Sequence, residues 1–576
     1  MGRYNLLDEK WIPVILDESG KSQNVSIIEL FENAGNYLTL GGDTQTQKFA
    51  ILRFLLAIPQ TVYSRFDADG EVYDYLEVDE RFRQTEKADI DSNDEYSEEL
   101  LDTWKSLWSR GKYSEKLFEY LEKWIDRFYL FDEKYPFFQV TEDVIGEDRI
   151  NKKNPTTISG KTMNRIISES GNKIALFSPK NEKDKNKEIL KEDEIARWLI
   201  TFQGYVGTSD KVMFGSEKYT ASKGWIYDIG GIYIEGDNLF ETLMLNTILG
   251  DDNDLNLKIQ KPCWEYSGRE IVERALTLNN PNNLAELYTT WSRAINIDPD
   301  FDVTKPFAMN IVKIPDIDHR DKFLEPMTVW RFNKTGDNKD TFTPKKHPVN
   351  QSMWRSFGNI FITSENENSK SEDKIRIPGI ISWYKKISEE IVKDKIIKIN
   401  AITMKDDGNA TSWMPVDEVY DRLNIHDIIV KDDEEQGWNK RVYDTVDITK
   451  YCISFIYKNF LSDINEIRNT KNSSFVSQNV EEMYFIIDQP FREWISSIDK
   501  NSDKEEKVFE WNEVLKDLIL NQADRILKEA GPRDFKGIIK EGKTMNIATA
   551  YSTFKYFLNI KLKTKEVKNG REVEQE

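Results

Sequence analysis

The sequence predicts an α+β chain: a large mixed α/β domain over residues 1–435 followed by a four-helix bundle over 436–576. Two observations carry this. Up to about residue 435, short apolar segments, turn signals and single helical stretches alternate, as in a domain that mixes strands and helices. From about Gln436, long apolar patterns of helical period take over, and Pro and Gly withdraw to their ends. A length of 576 residues allows two large domains as readily as three or four average ones.

From the N-terminus, Trp11–Leu16 alternates weakly and reads as a strand entering the turn Glu18-Ser19-Gly20. Gly41-Gly42-Asp43-Thr44-Gln45 precedes an apolar run from Phe49 to Ile58. There Phe49, Leu52, Leu55 and Leu56 recur at helical spacing, and Thr44 is placed to cap the helix. Residues 66–102 hold 15 acids and three bases and read as a solvated surface with a mobile loop. Residues 103–128, with Trp104, Leu107, Trp108, Leu117, Tyr120, Leu121 and Trp124, read as a Trp-rich helix.

Residues 149–187 reverse the charge, with ten Lys and Arg against three acids. Turn signals stand at Asn154-Pro155, Ser159-Gly160 and Ser170-Gly171-Asn172. Such a basic, loop-rich stretch in an acidic chain reads equally as a phosphate contact or as a mobile loop. Further on, Trp225–Tyr227, Gly231–Ile234, Met327–Phe332 and Phe357–Ile362 read as short strands, and Leu239–Leu249 as a helix. Residues 364–374 read as a polar loop. The bundle helices are expected at about 440–466, 478–498, 506–530 and 545–560, with Ala530-Gly531-Pro532 as a helix stop.

The 80 basic and 101 acidic residues set a net charge of −21, which excludes attachment to nucleic acid or membrane by bulk positive charge and leaves a local basic groove possible. A hydrophobic share of 39%, with 15 Trp, 24 Tyr and 30 Phe, belongs to a globular chain and not a disordered one. The two cysteines, Cys263 and Cys452, build neither a disulfide framework nor a structural zinc site, which suits a cytoplasmic home. No secretion signal is expected in MGRYNLLDEKWIPVIL, and no apolar run is long enough to predict a transmembrane helix.

Catalytic signals are weak. His319, His347 and His426 are scattered and form no metal-binding pair. Asp251-Asp252-Asn253-Asp254 lacks the glycine and glutamate of a calcium loop and reads as a turn. Gly537-Ile-Ile-Lys-Glu-Gly542-Lys543-Thr544 matches the phosphate-loop pattern, but no apolar strand precedes it, so a loop between helices is expected. No metal, cofactor or catalytic residue is expected. A phosphate-loop enzyme resting on Gly537–Thr544 and a pure assembly scaffold remain the alternatives.

Eight segments in order carry more weight than any motif alone. They are Asn5 to Val14, Leu40 to Gln47 with Ala50 to Ile58, Arg127 to Gln139, Ser170 to Phe177, Glu235 to Leu243, Asn283 to Arg293, Glu325 to Arg331, and Pro490-Phe491-Arg492. Together they resemble the CasA family, the large subunit of the type I-E CRISPR surveillance complex, Cascade. The resemblance implies an N-terminal α/β domain of unusual topology and a C-terminal four-helix bundle. It implies a protein that is not an enzyme. Such a subunit sits at the 5′ handle of the guide RNA beside other Cascade subunits. It recognises the protospacer-adjacent motif (PAM) on double-stranded target DNA, helps open the duplex and docks the helicase–nuclease. No membrane partner is implied.

Residue by residue, the guide-handle anchor resembles Ser170–Phe177, with Asn172, Lys173 and Phe177 as the contacts. The glycine-containing loop near the minor groove resembles Gly204–Ser209, represented by Gly207, Thr208 and Ser209, with fewer glycines than in some relatives. The lysine that reaches the groove resembles Lys322. The wedge resembles Asp406–Ser412, with Asn409, Ala410 and Thr411 at its tip. Some relatives carry glutamine there, so this wedge is expected to be shorter or to enlist Trp413.

Overall fold

The apolar run after Thr44 is the helix Gln45–Val62, and 17 of its 18 residues are buried. A helix buried on every face is surrounded by protein, and its few polar side chains must find partners there. Thr44 Oγ1 caps it by accepting from the Gln47 N–H at 3.0 Å. The structure, a computed structural model, describes residues 2–88, 93–167, 177, 188–207, 212–250, 258–362, 374–390, 394–409, 413–470 and 474–562.

The chain divides into two compact units. One comprises Met1–Asn350, Ser364–Lys386 and Ile399–Arg422; the other comprises Gln351–Thr363, Ile387–Lys398 and Leu423–Glu576. The second unit thus draws two segments from upstream of the boundary expected at 435/436.

The first unit packs its central helix against the helices Glu192–Tyr205 and Leu284–Tyr288 and builds small sheets instead of one large one. Ser22–Val25, Ile12–Ile15 and Thr39–Leu40 form one. Thr156–Ser159, Ala308–Lys313 and Arg293–Asn296 form an antiparallel second, with Ile158 opposite Met309 and Ile295 opposite Ile311. The third orders Pro415–His426, Ile396–Asp406 and Gly231–Glu235 side by side.

Two buried ion pairs cross this unit. Arg53 of the central helix is bidentate to Glu325 at 2.7 Å for each bond. Arg65 is bidentate to Glu265 at 2.8 and 3.1 Å. Glu325 also accepts from Trp225 Nε1 and from the Met327 N–H at 2.9 Å. The Glu325-Pro326-Met327 motif is therefore part of the fold: its carboxylate neutralises a guanidinium inside the core.

Four local expectations change. Residues 66–88 are turns pinned by Arg81, whose guanidinium lies 3.9 Å from the Trp124 ring centroid. The single helix expected at 103–128 is two, Asn93–Arg110 and Glu115–Lys123, broken at Gly111, which ends the first. Phe357–Phe361 is helical, because Phe357, Ile360 and Phe361 are buried at helical spacing. Trp225–Tyr227 is a tight 3₁₀ turn.

The second unit holds the expected helices. Trp438–Tyr451 runs through a π turn, Cys452–Tyr457, into Lys458–Arg468; Ser474–Ser496, Lys504–Lys528 and Ile547–Lys561 follow. Phe491 anchors the core, with its ring centroid 4.2 Å from Trp354 and 4.9 Å from Trp511. Trp511 Nε1 donates to Thr449 Oγ1 at 2.8 Å.

Between the last two helices the Gly537–Thr544 segment is a β-hairpin, with Ile538 opposite Met545 and Lys540 opposite Lys543. Glu541 and Gly542 turn it with φ of 50° and 77°, the left-handed pair of a tight hairpin turn. A phosphate loop needs a strand, a loop of converging amides and a helix. Here both arms are strands paired to each other, which removes the nucleotide-site reading.

Candidate nucleic-acid interface

Segment 222–228 is the hub at which the separate expected contacts meet. Gly224 lets it lie against the end of the helix Glu192–Tyr205. Its φ is 84°, and a β-carbon there would stand 2.4 Å from the Gly204 carbonyl oxygen. Conformation and space both demand glycine.

Arg293, fully buried, ties this hub to the glycine-containing loop. Its Nη1 donates to the Ser222 carbonyl at 2.6 Å and its Nη2 to the Gly207 carbonyl at 3.3 Å. The Gly207 N–H donates to Ile167 at 3.1 Å. Gly207 is thus the buried root of the loop, with both backbone groups engaged inside the protein. Thr208 and Ser209 lie outside the described residues.

The second contact is the turn that carries Lys322. Trp225 stacks on His319 with centroids 4.2 Å apart and planes 12° apart. His319 Nε2 is 2.9 Å from the Trp225 carbonyl; an oxygen that only accepts assigns the proton to Nε2. Lys322, half-buried, follows in the same turn, and its N–H donates to His319 at 3.3 Å.

The third contact is the tip of the hairpin formed by Ile396–Asp406 and Pro415–His426. Its two acids turn inward. Asp406 accepts from the Gly408 N–H at 2.9 Å and from Lys346 Nζ at 3.0 Å. Asp407 accepts from the N–H groups of Asn409 and Met414 at 3.1 and 3.3 Å. Asn409 is exposed, and its carbonyl accepts from the Trp413 N–H at 2.8 Å. Ala410 and Thr411 lie outside the described residues. Trp413 faces the hub: Lys223 Nζ is 4.6 Å from its ring, and the Tyr227 hydroxyl donates to its carbonyl.

Met213, Tyr219, Lys223, Lys313, Asp316 and Trp413 line a cleft of about 300 Å³ at this junction. Lys223 and Lys346 both pair with Asp228, Lys346 at 3.6 Å. Burial pushes the Asp228 carboxyl up, but these two ammonium groups outweigh it and hold it below the usual carboxylate range. Asp316 goes the other way: burial raises it, and His319 and Lys223 only partly offset that. Lys223, a cation of the cleft already paired with Asp228 and set beside the half-exposed Trp413 indole, suits a polyanion that can compete for it and present flat bases. Among the described residues, no group of three or more His, Cys, Asp or Glu could hold a metal ion.

The segment expected to hold the guide handle stands apart from the cleft residues in the sequence. Phe177 is 8% exposed, and Asn172 and Lys173 lie outside the described residues. Sequence reasoning passed over Lys223, Tyr227, Asp228 and Lys346. Lys223-Gly-Trp-Ile-Tyr227 does carry a legible signal, a cation interleaved with aromatics. Lys346 has none, because its partner Asp406 lies 60 positions away.

Comparison with known proteins points one way. A family model described as CRISPR-associated protein Cse1 matches residues 5–522. A curated relative from Thermus thermophilus, named CRISPR-associated protein CasA/Cse1, is 24% identical over 362 residues, 62% of this chain and 59% of that protein. The chain thus matches less than two thirds of that relative's length. Cse1 of Thermobifida fusca superposes with a TM-score of 0.75 at 21% identity, covering 97% of this chain and 98% of that one. A chain of a structure named CRISPR RNA-guided surveillance complex superposes at 0.66, with 12% identity and coverage of 97% and 100%. At these identities the superpositions speak for the fold.

Proposed function

The chain belongs to the CRISPR-associated Cse1 family, and from that premise we propose that it is the non-catalytic large subunit of a type I-E surveillance complex. It recognises the PAM on double-stranded DNA, helps open the duplex and recruits the helicase–nuclease. Residues 1–435 supply the PAM and guide-handle contacts, 436–576 the helical bundle. The setting is cytoplasmic, and no cofactor takes part.

One observation supports this most: three segments with expected DNA contacts, those of Gly207, Lys322 and Asn409, are tied to one hub, Ser222–Asp228, through Arg293, His319 and Trp413 respectively. Lys322 reaches the minor groove, whose code is degenerate, so several related motifs are tolerated. The tip Asn409–Thr411 enters beside the first base pair, with the Trp413 indole behind it. Unstacking that step costs a few kcal/mol, which the inserted side chains offset. Phe177 and Asn172-Lys173 hold the guide handle.

The complex assembled with guide RNA and partner subunits tests this. Wild type should open a duplex that carries the PAM and leave one without it closed. Replacing Asn409, Ala410 and Thr411 by Gly should preserve assembly, slow opening of a paired target, and matter far less when the target is already unpaired beside the PAM. Equal defects on both targets would make the tip a binding loop and not a wedge. Indifference of the wild type to the PAM would leave only a scaffold.

A further inference from the structure

A wedge works only if it does not yield when pushed against a base pair, so what holds the hairpin matters as much as its tip. The strands are fixed low down. Glu418 accepts from the N–H groups of Gln45 and Thr46, at the start of the central helix, at 3.0 and 2.8 Å. Arg422 donates to Glu235 at 2.7 Å. These bonds grip the strands and leave the tip to be held separately.

The tip is gripped on both arms. On the outgoing arm, Lys346 Nζ holds Asp406 and reaches back to Asp228. On the returning arm, the Tyr227 hydroxyl holds the Trp413 carbonyl. The two grips touch: the Lys346 ammonium is 4.2 Å from the Tyr227 ring centroid. Burial, reinforced by Asp406, Asp228 and Asp407, keeps the Tyr227 hydroxyl protonated, so it is a donor throughout the working pH range. Trp413 has φ of 43°, a conformation that a bulky residue keeps only where its surroundings impose it.

We propose that Tyr227 and Lys346 are positioning residues for strand opening, which clamp the two arms of the hairpin, at Trp413 and at Asp406, just below its tip. The proposal rests on the reading of the tip as a wedge. Loops released from such contacts move on nanosecond to microsecond timescales. A released tip would still meet the DNA but would recoil instead of parting the pair. Binding of the PAM duplex and opening of the target therefore separate in clamp variants.

The test uses the assembled complex with three variants, Tyr227→Phe, Lys346→Met and Lys346→Arg, beside the Asn409, Ala410 and Thr411 triple glycine replacement. Tyr227→Phe and Lys346→Met should leave assembly and PAM-dependent duplex binding at wild-type levels. Each should slow opening of a paired target about tenfold, the size of one lost hydrogen bond in a rate. On a target unpaired beside the PAM the loss should be less than about twofold, since the uphill step is then already complete. Lys346→Arg should recover most of the rate, because it keeps a cation between Asp406 and Asp228.

If the triple variant shows the target-dependent defect and the clamp variants do not, the clamp is overturned and the wedge stands. If the triple variant shows none, the wedge reading itself falls. Equal losses by the clamp variants on both targets would make them DNA contacts and overturn the positioning role. Should Lys346→Met fail to fold, Tyr227→Phe decides the matter, since it removes only one oxygen.

Discussion

His347 is 9% exposed, and its Nε2 is 2.9 Å from the Gly231 carbonyl, so it serves the fold as a neutral donor. Burial draws its pKa from 6.5 to about 4, against the pull of that hydrogen bond. The folded value lies below the unfolded one, so the unfolded chain takes up the proton first. Stability should therefore fall as pH drops through 6.5 and continue falling to about 4, by about 3 kcal/mol in total. Urea midpoints between pH 7 and 4 would show this slope, and His347→Gln should flatten it; an equally steep slope in the variant would assign the loss to other groups. The two thiols are also covered: burial pushes both Cys263 and Cys452 up to about 12. Thiolate is the reactive form. Neither should react with a maleimide at pH 8 until denaturant is added, and rapid native labelling of either would contradict its burial.

At the scale of elements, the Glu325 carboxylate neutralises the one guanidinium of the central helix. Glu325→Ala would leave Arg53 charged inside the core and should destabilise the first unit by about 3–5 kcal/mol. Pairing Arg53→Met with Glu325→Leu should recover much of that loss, since a buried ion pair replaced by apolar side chains is often neutral. Thermal or urea unfolding of the two variants compares them directly, and a double variant as weak as the single one would refute the charge argument. The hairpin at 537–545 makes the opposite point. Its lysines stand on paired strands without converging amides, so magnesium and ATP should leave the melting temperature of the chain unchanged, and Lys543→Ala should be silent.

At the scale of the whole molecule, an acidic chain that meets RNA must do so through local charge. Lys173, Lys180, Lys183 and Lys185 lie in the basic stretch of the sequence. If they meet guide-RNA phosphates, neutralising them should flatten the dependence of assembly on salt, by about 0.7 in log–log slope for each contact to a single strand. An unchanged slope would leave the stretch with no part in binding RNA. Phe177→Ala should loosen the subunit within the assembled complex, since a ring stacked on a base contributes about 1–3 kcal/mol. A lower melting temperature of the isolated chain, with full assembly, would place that ring in the core instead.

The sequence by itself determined the α+β class, the central helix with its Thr44 cap and the four C-terminal helices, because each is written in a local period and in residues adjacent along the chain. Ordered segments were enough to indicate the family, since they carry the pairs that hold the core, such as Arg53 with Glu325. The tertiary structure alone decided what those locally similar segments do. A phosphate-loop pattern became a hairpin through cross-strand pairing, and a strand-like Trp225–Tyr227 became a 3₁₀ turn beside Gly224. The meeting of the Gly207, Lys322 and Asn409 segments on one hub, and the grip of Lys346 on Asp406, were illegible beforehand. Those contacts join residues tens to hundreds of positions apart, and no local period encodes a partner at that distance.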